Sequence, residues 1–319
     1  MHPAWKVKTT LFDRVQSMDK SAPMVSKTLL ITKNTIEKPF INRGIPSWFL
    51  YGVKNVWRTL AIPLVLFISI PIVAIFLKIP INQLLDNINK AQLLQAINLS
   101  IFTSLSTTAL TLLFGTPVAL LLSHRNIRMH RIIDTIIDLP TVLPPSVAGI
   151  ALLMAFGRKG LFGAFLSSMD ITIPFTVIAV IMAQTFVASP LYIKAATIGF
   201  SAVDTELKQA SALDGATRWE TFRYITLPIS WTSILSGSVM TWARALGEFG
   251  ATIIFAGNFP GRTQTMPLAI YIGFEIDLNV ALTLAIILIC FSFLTLIIVK
   301  TLLQRRLDVE SPPTFDNSL

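Results

Sequence analysis

Leu60-Ala-Ile-Pro-Leu-Val-Leu-Phe-Ile-Ser-Ile-Pro-Ile-Val-Ala-Ile-Phe-Leu77 is a run of 18 residues without a charge, and Ser69 is its one polar side chain. A helix rises about 1.5 Å per residue, so roughly 17–25 apolar residues cross the hydrocarbon core of a bilayer. Five further uncharged stretches follow, at Ala91–Ser123, Leu139–Gly157, Ile171–Ile193, Tyr224–Ala243 and Leu278–Val299. Six crossings are an even number, which places both chain ends on one side. The expected fold is therefore all-α, a polytopic membrane protein of six transmembrane helices.

Composition supports the same solvent. Of 319 residues, 53% are hydrophobic and 13% charged, with a mean hydropathy of +0.67, too little polar surface to cover a water-soluble globule of this size. The formal charge of +9 could suit nucleic acid, but cytoplasmic loops of membrane proteins also collect Lys and Arg. Position decides between these. With the N-terminus inside, inner segments hold ten Lys or Arg before Leu60, then Arg125, Arg128 and Arg131, four from Lys194 to Arg223, and Lys300, Arg305 and Arg306. Outer segments hold only Lys78, Lys90, Arg158, Lys159 and Arg262, while Arg244 lies at a helix end. This asymmetry predicts an N-in, C-in topology, a lipid partner and no nucleic-acid partner.

Residues 1–57 read as a flexible cytoplasmic extension, polar and without sustained periodicity. A targeting segment is the second reading, although Asp13, Asp19 and Glu37 contrast with the acid-poor composition of organelle transit peptides. Residues 58–306 form the membrane domain and 307–319 a cytoplasmic tail. Between the first two crossings, Ile81–Gln95 alternates apolar residues with Asn, Gln, Asp86 and Lys90, the pattern of an interfacial amphipathic helix or of an exposed outer loop.

Catalytic and metal chemistry find little support. The single cysteine, Cys290, lies in an apolar run, and His2, His124 and His130 fall in polar or cytoplasmic stretches. There is no Gly-x-x-x-x-Gly-Lys-[Ser/Thr] loop to cradle nucleotide phosphates, no His-Glu-x-x-His and no Cys pair. The expectation is a non-catalytic chain with no catalytic residue, no metal site and no bound cofactor.

The longest inner loop, residues 195–228, carries the most informative pattern. It contains Gln209-Ala210-Ser211-Ala212-Leu213-Asp214-Gly215-Ala216-Thr217, continues through Arg218 to Thr226, and closes with Leu227-Pro228. Small residues precede a glycine, where the chain can turn with positive φ, and helix-compatible residues resume after it. That is a helix, turn, helix knob.

This loop resembles the "EAA" loop of bacterial ABC importer permeases: Glu-Ala-Ala, three residues, Gly, nine residues, Ile, one residue, Leu-Pro. The spacing matches throughout, with Gln209 in place of the glutamate and Ser211 in place of the second alanine. The resemblance implies a type I ABC importer permease whose coupling helix, from Ala212 to Thr217, fits a groove on a cytoplasmic ABC ATPase dimer. ATP and Mg would then be used by that partner.

Two intramembrane motifs bear on what is carried. In Leu139-Pro140-Thr141-Val-Leu-Pro144-Pro145-Ser146-Val-Ala-Gly149, three prolines remove backbone donors, so the helix should break or kink. Irregular backbone at membrane depth must be buried in protein or line a water-filled cavity. A half-helix restarting at Ser146 would aim free N–H groups and a positive dipole end at an anion; a packing kink without ligand contact is the other reading. Thr141 and Ser146 are the candidate side chains. In Ala243-Arg244-Ala-Leu-Gly247-Glu248-Phe-Gly250-Ala-Thr252, Arg244 and Glu248 stand four apart on one helix face, either as a structural pair or as part of an anion path.

Together these motifs resemble the molybdate and sulfate branch of ABC importer permeases, over about residues 98–306. The resemblance implies a homodimer enclosing one path, an extracytoplasmic oxyanion-binding protein and a tetrahedral oxyanion as cargo, molybdate ahead of sulfate and tungstate. The membrane would be a bacterial plasma membrane or, alternatively, the inner envelope of a plastid. Two rivals stay open: a secondary carrier, poorly served by Asp134, Asp138 and Glu248 as coupling acids, and a non-catalytic anchor subunit of a membrane enzyme.

Overall fold

The structure is a computed structural model that describes residues 47–88, 90–124 and 130–310. Most of the N-terminal extension, Arg125, Arg128 and residues 311–319 of the tail lie outside the described residues. The chain divides into a first unit ending at Pro71 and a second from Ile72 to Leu319. Among the described residues every regular element is helical.

The helix α1, Ser47–Lys78, carries the first apolar run across the boundary between the units and begins ahead of Leu60. In the second unit α2 (Ile81–Ile88) is short, and α3 spans Ala91–Ser123, the bounds expected from its charges. The amphipathic stretch that the sequence drew to Gln95 thus ends at Ile88, and Gln95 belongs to α3. Asn87 Nδ2 donates to Thr283 Oγ1 at 3.2 Å, tying α2 to the last helix, α14 (Leu278–Glu310).

The third uncharged stretch is broken. Helix α4, His130–Val142, stops, and α5, Pro145–Phe156, leaves at 117°. Pro144 occupies the N-cap and Pro145 the first turn of α5, so two successive residues offer no N–H to continue the ladder of α4.

Two bounds move from those expected. The fourth stretch becomes helical at Val177 rather than Ile171, because Phe175 takes φ 64° and Thr176 caps the new helix, accepting from the Ala179 N–H at 3.3 Å. This helix, α7, runs to Ser201, after the short helix α6 (Gly163–Ser168). The fifth stretch is not one α-helix. A π-helical turn at Phe222–Thr226 leads into the single turn α10 (Leu227–Ile229), and α11 (Trp231–Leu246) follows after Ser230. Pro228 has no N–H for the carbonyl four residues back, so an unbroken α-helical ladder cannot run through it.

Small helices complete the unit: α8 (Thr205–Leu213) and α9 (Arg218–Thr221) in the inner loop, then α12 (Gly250–Phe255) and α13 (Met266–Ile276). By length and composition α1, α3, α7 and α14 suffice to cross a membrane among the described residues, and α4 with α5 passes the same test as a bent pair.

The centre of the second unit is α7, packed between α3 and α11. Helix α3 presents Ser100, Thr103, Ser104, Thr107, Thr111, Gly115 and Ala119, all buried and on one helical face. Small and hydroxylated side chains let backbones approach closely where lipid supplies no hydrophobic drive between helices. Thr107 Oγ1 donates to Gln184 Oε1 at 3.1 Å inside this seam, while Gln184 Nε2 is buried without a hydrogen-bond partner among the described residues. Outward-facing positions are the reverse: Leu113, Phe114, Ile178 and Phe293 are all more than half exposed. So much exposed apolar surface fits lipid and not water.

Candidate functional site

The knob between α7 and α10 is built by two capping motifs in succession. Helix α8 is C-capped by Asp214, and Gly215 follows with φ 86°, a left-handed conformation that glycine adopts without a Cβ penalty. The Ala216 N–H donates to the Ser211 carbonyl at 3.0 Å and the Gly215 N–H to the Ala212 carbonyl at 3.1 Å, the paired bonds of a Schellman motif. Thr217 then opens α9 with a capping box. Its Oγ1 accepts from the Glu220 N–H at 3.3 Å, and Glu220 Oε2 accepts from the Thr217 N–H and hydroxyl, each at 2.7 Å. Those bonds to the backbone and side chain of Thr217 hold the Glu220 carboxyl below its ordinary pKa, because they favour its charged form.

A hydroxyl pair, Ser211 Oγ and Thr221 Oγ1 at 2.9 Å, ties α8 to α9. Ser211 therefore has a local task that alanine could not perform. The knob is also anchored to the membrane helices. The Phe222 ring meets Phe200 of α7 edge-on at 6.2 Å, and Leu227 packs against the cluster formed by Leu122, Tyr192, Phe200 and Ile234.

The knob presents large apolar side chains outward. Leu213 is 89% exposed, Trp219 64% and Tyr224 71%, while Gln209, Ala210, Ala212, Asp214 and Pro228 are exposed as well. A rigid turn carrying exposed Leu and Trp beside Asp214 and Arg218 has the composition of a docking surface. Trp219 and Tyr224 escaped the sequence reading; their signal was an aromatic series, Trp219, Phe222 and Tyr224, just after the small residues around Gly215.

Intramembrane candidates fall into one close group and one outlier. Helix α5 begins against the start of α12: a β-carbon on Gly250 would lie 2.6 Å from Pro145 Cβ and 3.4 Å from the Ser146 nitrogen. One turn further, a β-carbon on Gly149 would lie 2.8 Å from the Ala251 carbonyl oxygen. The proline motif and the Arg244–Thr252 motif, distant in sequence, are thus in contact through two glycines. Glu248, 1% exposed, accepts from Arg244 Nη1 at 2.6 Å with Oε2 and from the Ala251 N–H at 2.9 Å with Oε1. Both carboxylate oxygens are used, which lowers the desolvation cost of burying this charge. Arg244 keeps about a third of its side chain exposed, with guanidinium donors beyond the one given to Glu248.

Ser146 lies at the exposed start of α5. Thr141 stands apart from this group. It is exposed on α4 and its hydroxyl donates to the Asp138 carbonyl at 2.7 Å, within its own helix.

Another cluster was not anticipated. Lys194 of α7 meets two carboxylates of α4, Asp138 at 2.8 Å and Asp134 closer still. The two aspartates four apart were visible in the sequence, but their pairing with a lysine 56 and 60 positions on was not.

Comparison with known proteins agrees with this architecture. Residues 112–308 match the family described as binding-protein-dependent transport system inner membrane component. The probable transport system permease protein NifC of Clostridium pasteurianum is 40% identical over 231 residues, 72% of this chain and 81% of that protein. The molybdenum transport system permease protein ModB of Mycobacterium tuberculosis is 37% identical over 237 residues, 74% and 90% of the two chains. The sulfate transport system permease protein CysW of Synechococcus elongatus is 33% identical over 229 residues, 71% and 79%. In fold, the chain is similar to a bacterial ABC transporter involved in import of the acidic polysaccharide alginate, with TM-score 0.61 and 17% identity over 81% of this chain and 96% of that one. A family match over most of the chain, relatives of this identity and an all-helical fold of the same kind lead to one conclusion: this protein belongs to the family of binding-protein-dependent transport system inner membrane components.

Proposed function

We propose that this chain is the membrane-spanning, non-catalytic subunit of an ATP-driven importer of molybdate. The observation that carries the importer reading is the inner knob, where a Schellman turn at Gly215 and a capping box at Thr217 hold Leu213 and Trp219 outward on a rigid mount. Residues Gln209 to Thr217, with Leu227 and Pro228, form the contact through which a cytoplasmic ATPase dimer, using ATP and Mg, drives the membrane helices. No nucleotide site is needed in this chain. The preference for molybdate over sulfate rests on the molybdenum permease relatives, with the sulfate permease less similar.

Six crossings, with the bent pair α4 and α5 as the third and the α11 segment as the fifth, keep both ends inside, in accord with the placement of Lys and Arg. Two copies enclose one path in a bacterial inner membrane, and an extracytoplasmic binding protein delivers the anion. Along that path the start of α5 at Ser146 and the free donors of Arg244 offer weak, reversible stations, with Glu248 fixing the arginine and Thr141 further along. A weak permease site favours release, and specificity resides in the binding protein. Transport of labelled molybdate and sulfate into vesicles carrying this chain, its ATPase and its binding protein tests the reading. Uptake that requires ATP and prefers molybdate supports it, whereas uptake driven by an ion gradient alone, or none of either anion, refutes it.

A further inference from the structure

Helix α4 is joined to α7 by a polar bridge of a particular kind. Asp134 and Asp138 stand four apart on one face of α4, where like charges repel, and Lys194 lies between them as the one cation bonded to either among the described residues. The Asp138 contact is 2.8 Å, and the three side chains are each between 36% and 43% exposed. Apolar contact adds to the joint: Ile133 and Ile137, on the neighbouring stripe of α4, pack against the cluster that includes Tyr192 and Ile193 of α7.

The position of this bridge gives it a task. From Lys194, α7 continues to Ser201 and passes within a few residues into α8, the first helix of the inner knob. From Asp138, α4 continues to Val142 and turns through the 117° bend into Pro145 and Ser146, which rest on Gly250. The knob and the proline turn are therefore linked through two helices and one charged joint.

We propose that Lys194 is a positioning residue that locks α4 to α7, so that the two helices move as one body and a displacement of the knob reaches the turn at Pro145 and Ser146. The inference rests on the coupling role given to the knob above. Removing the ammonium does more than delete a bond. It leaves two carboxylates repelling each other along α4, with no cation on α7 to hold them.

Spin labels at Ile136 of α4 and Ile198 of α7, both more than 60% exposed, measure the joint directly once the exposed Cys290 is replaced by Ser. In the complete complex with ATPase and binding protein, the Ile136–Ile198 distance is expected to stay within about 2 Å between nucleotide-free and ATP-vanadate-trapped states, no more than an ordinary helix shift. Lys194→Met is expected to broaden that distribution even at rest, and Lys194→Arg to restore it. A control pair, Leu213 with Phe162, moves on trapping if the ATPase stroke reaches the chain; a static control pair refutes the coupling role and not the joint.

The functional readout is molybdate imported per ATP hydrolysed. Lys194→Met, or Lys194→Met with Asp134→Asn and Asp138→Asn to remove the repulsion, is expected to lower that ratio about tenfold while leaving ATP hydrolysis near wild type. Should Lys194→Met fail to insert, Asp138→Asn, which leaves Asp134 on the ammonium, is expected to lower the ratio about threefold. An unchanged resting distribution in Lys194→Met, or a neutral triple variant that couples within about twofold of wild type, overturns the proposal.

Discussion

Glycine 215 shows how much one residue decides. A β-carbon there would meet nothing within 4 Å, so substitution creates no clash, and its φ of 86° is the whole difficulty. Gly215→Asp is expected to insert normally, strain the turn by about 1 kcal/mol and lower anion imported per ATP about tenfold, measured in reconstituted vesicles. Glu220 adds a pH dependence. Its pKa is held low in the folded knob, so the stabilisation it gives is present above the unfolded value of about 4.3 and is lost as pH falls through the folded value. Hydrogen exchange at the amides of Ala216 to Thr221 is expected to be faster in Glu220→Ala than in wild type between about pH 6 and 8, with the difference fading below about pH 4. Glu248 is the buried counterpart. Glu248→Ala strands the Arg244 guanidinium and uncaps the Ala251 N–H, at an expected cost of about 2–3 kcal/mol in thermal unfolding, below the value for a fully buried pair because Arg244 is partly exposed.

At the scale of elements, the close approach of α5 and α12 is the feature most sensitive to size. A β-carbon at Gly149 would lie 2.7 Å from Ile254 Cβ, so Gly149→Ala must push the helices apart and is expected to cost about 1–3 kcal/mol, with a lower unfolding temperature and slower uptake. The sequence disclosed those elements whose limits are written in local chemistry. Lys90 and His124 bracket α3, and Ala91–Ser123 came out with the bounds predicted; the glycine and small residues of the inner loop foretold its turn. Pro144 and Pro145 announced a break but not its 117°, because the angle depends on what α5 packs against. Likewise Pro228 hid a π-helical turn, and Phe175 with positive φ delayed the start of α7. Contacts between distant residues were invisible: nothing near Lys194 points to Asp134 and Asp138, sixty and fifty-six positions back. The Arg244–Glu248 pair was legible because four residues on a helix already make neighbours.

For the whole molecule, the knob at Gly215 leads into the central helix α7, and the proline turn at Pro145 rests on Gly250. The exposed apolar faces of α3, α5, α7 and α14 leave surface for lipid and for a second copy. The asymmetry of Lys and Arg makes a separate prediction at this scale: single cysteines placed at Leu213 and at Leu161, with Cys290→Ser, should label from opposite sides of sealed vesicles. Labelling of both from one side would contradict six crossings with both ends inside. The measurement that bears most directly on the central claim is uptake of labelled molybdate, with sulfate in competition, into vesicles containing this chain with its ATPase and binding protein. The account predicts uptake that appears only with ATP and is displaced by molybdate ahead of sulfate; uptake that follows an ion gradient without ATP would contradict it.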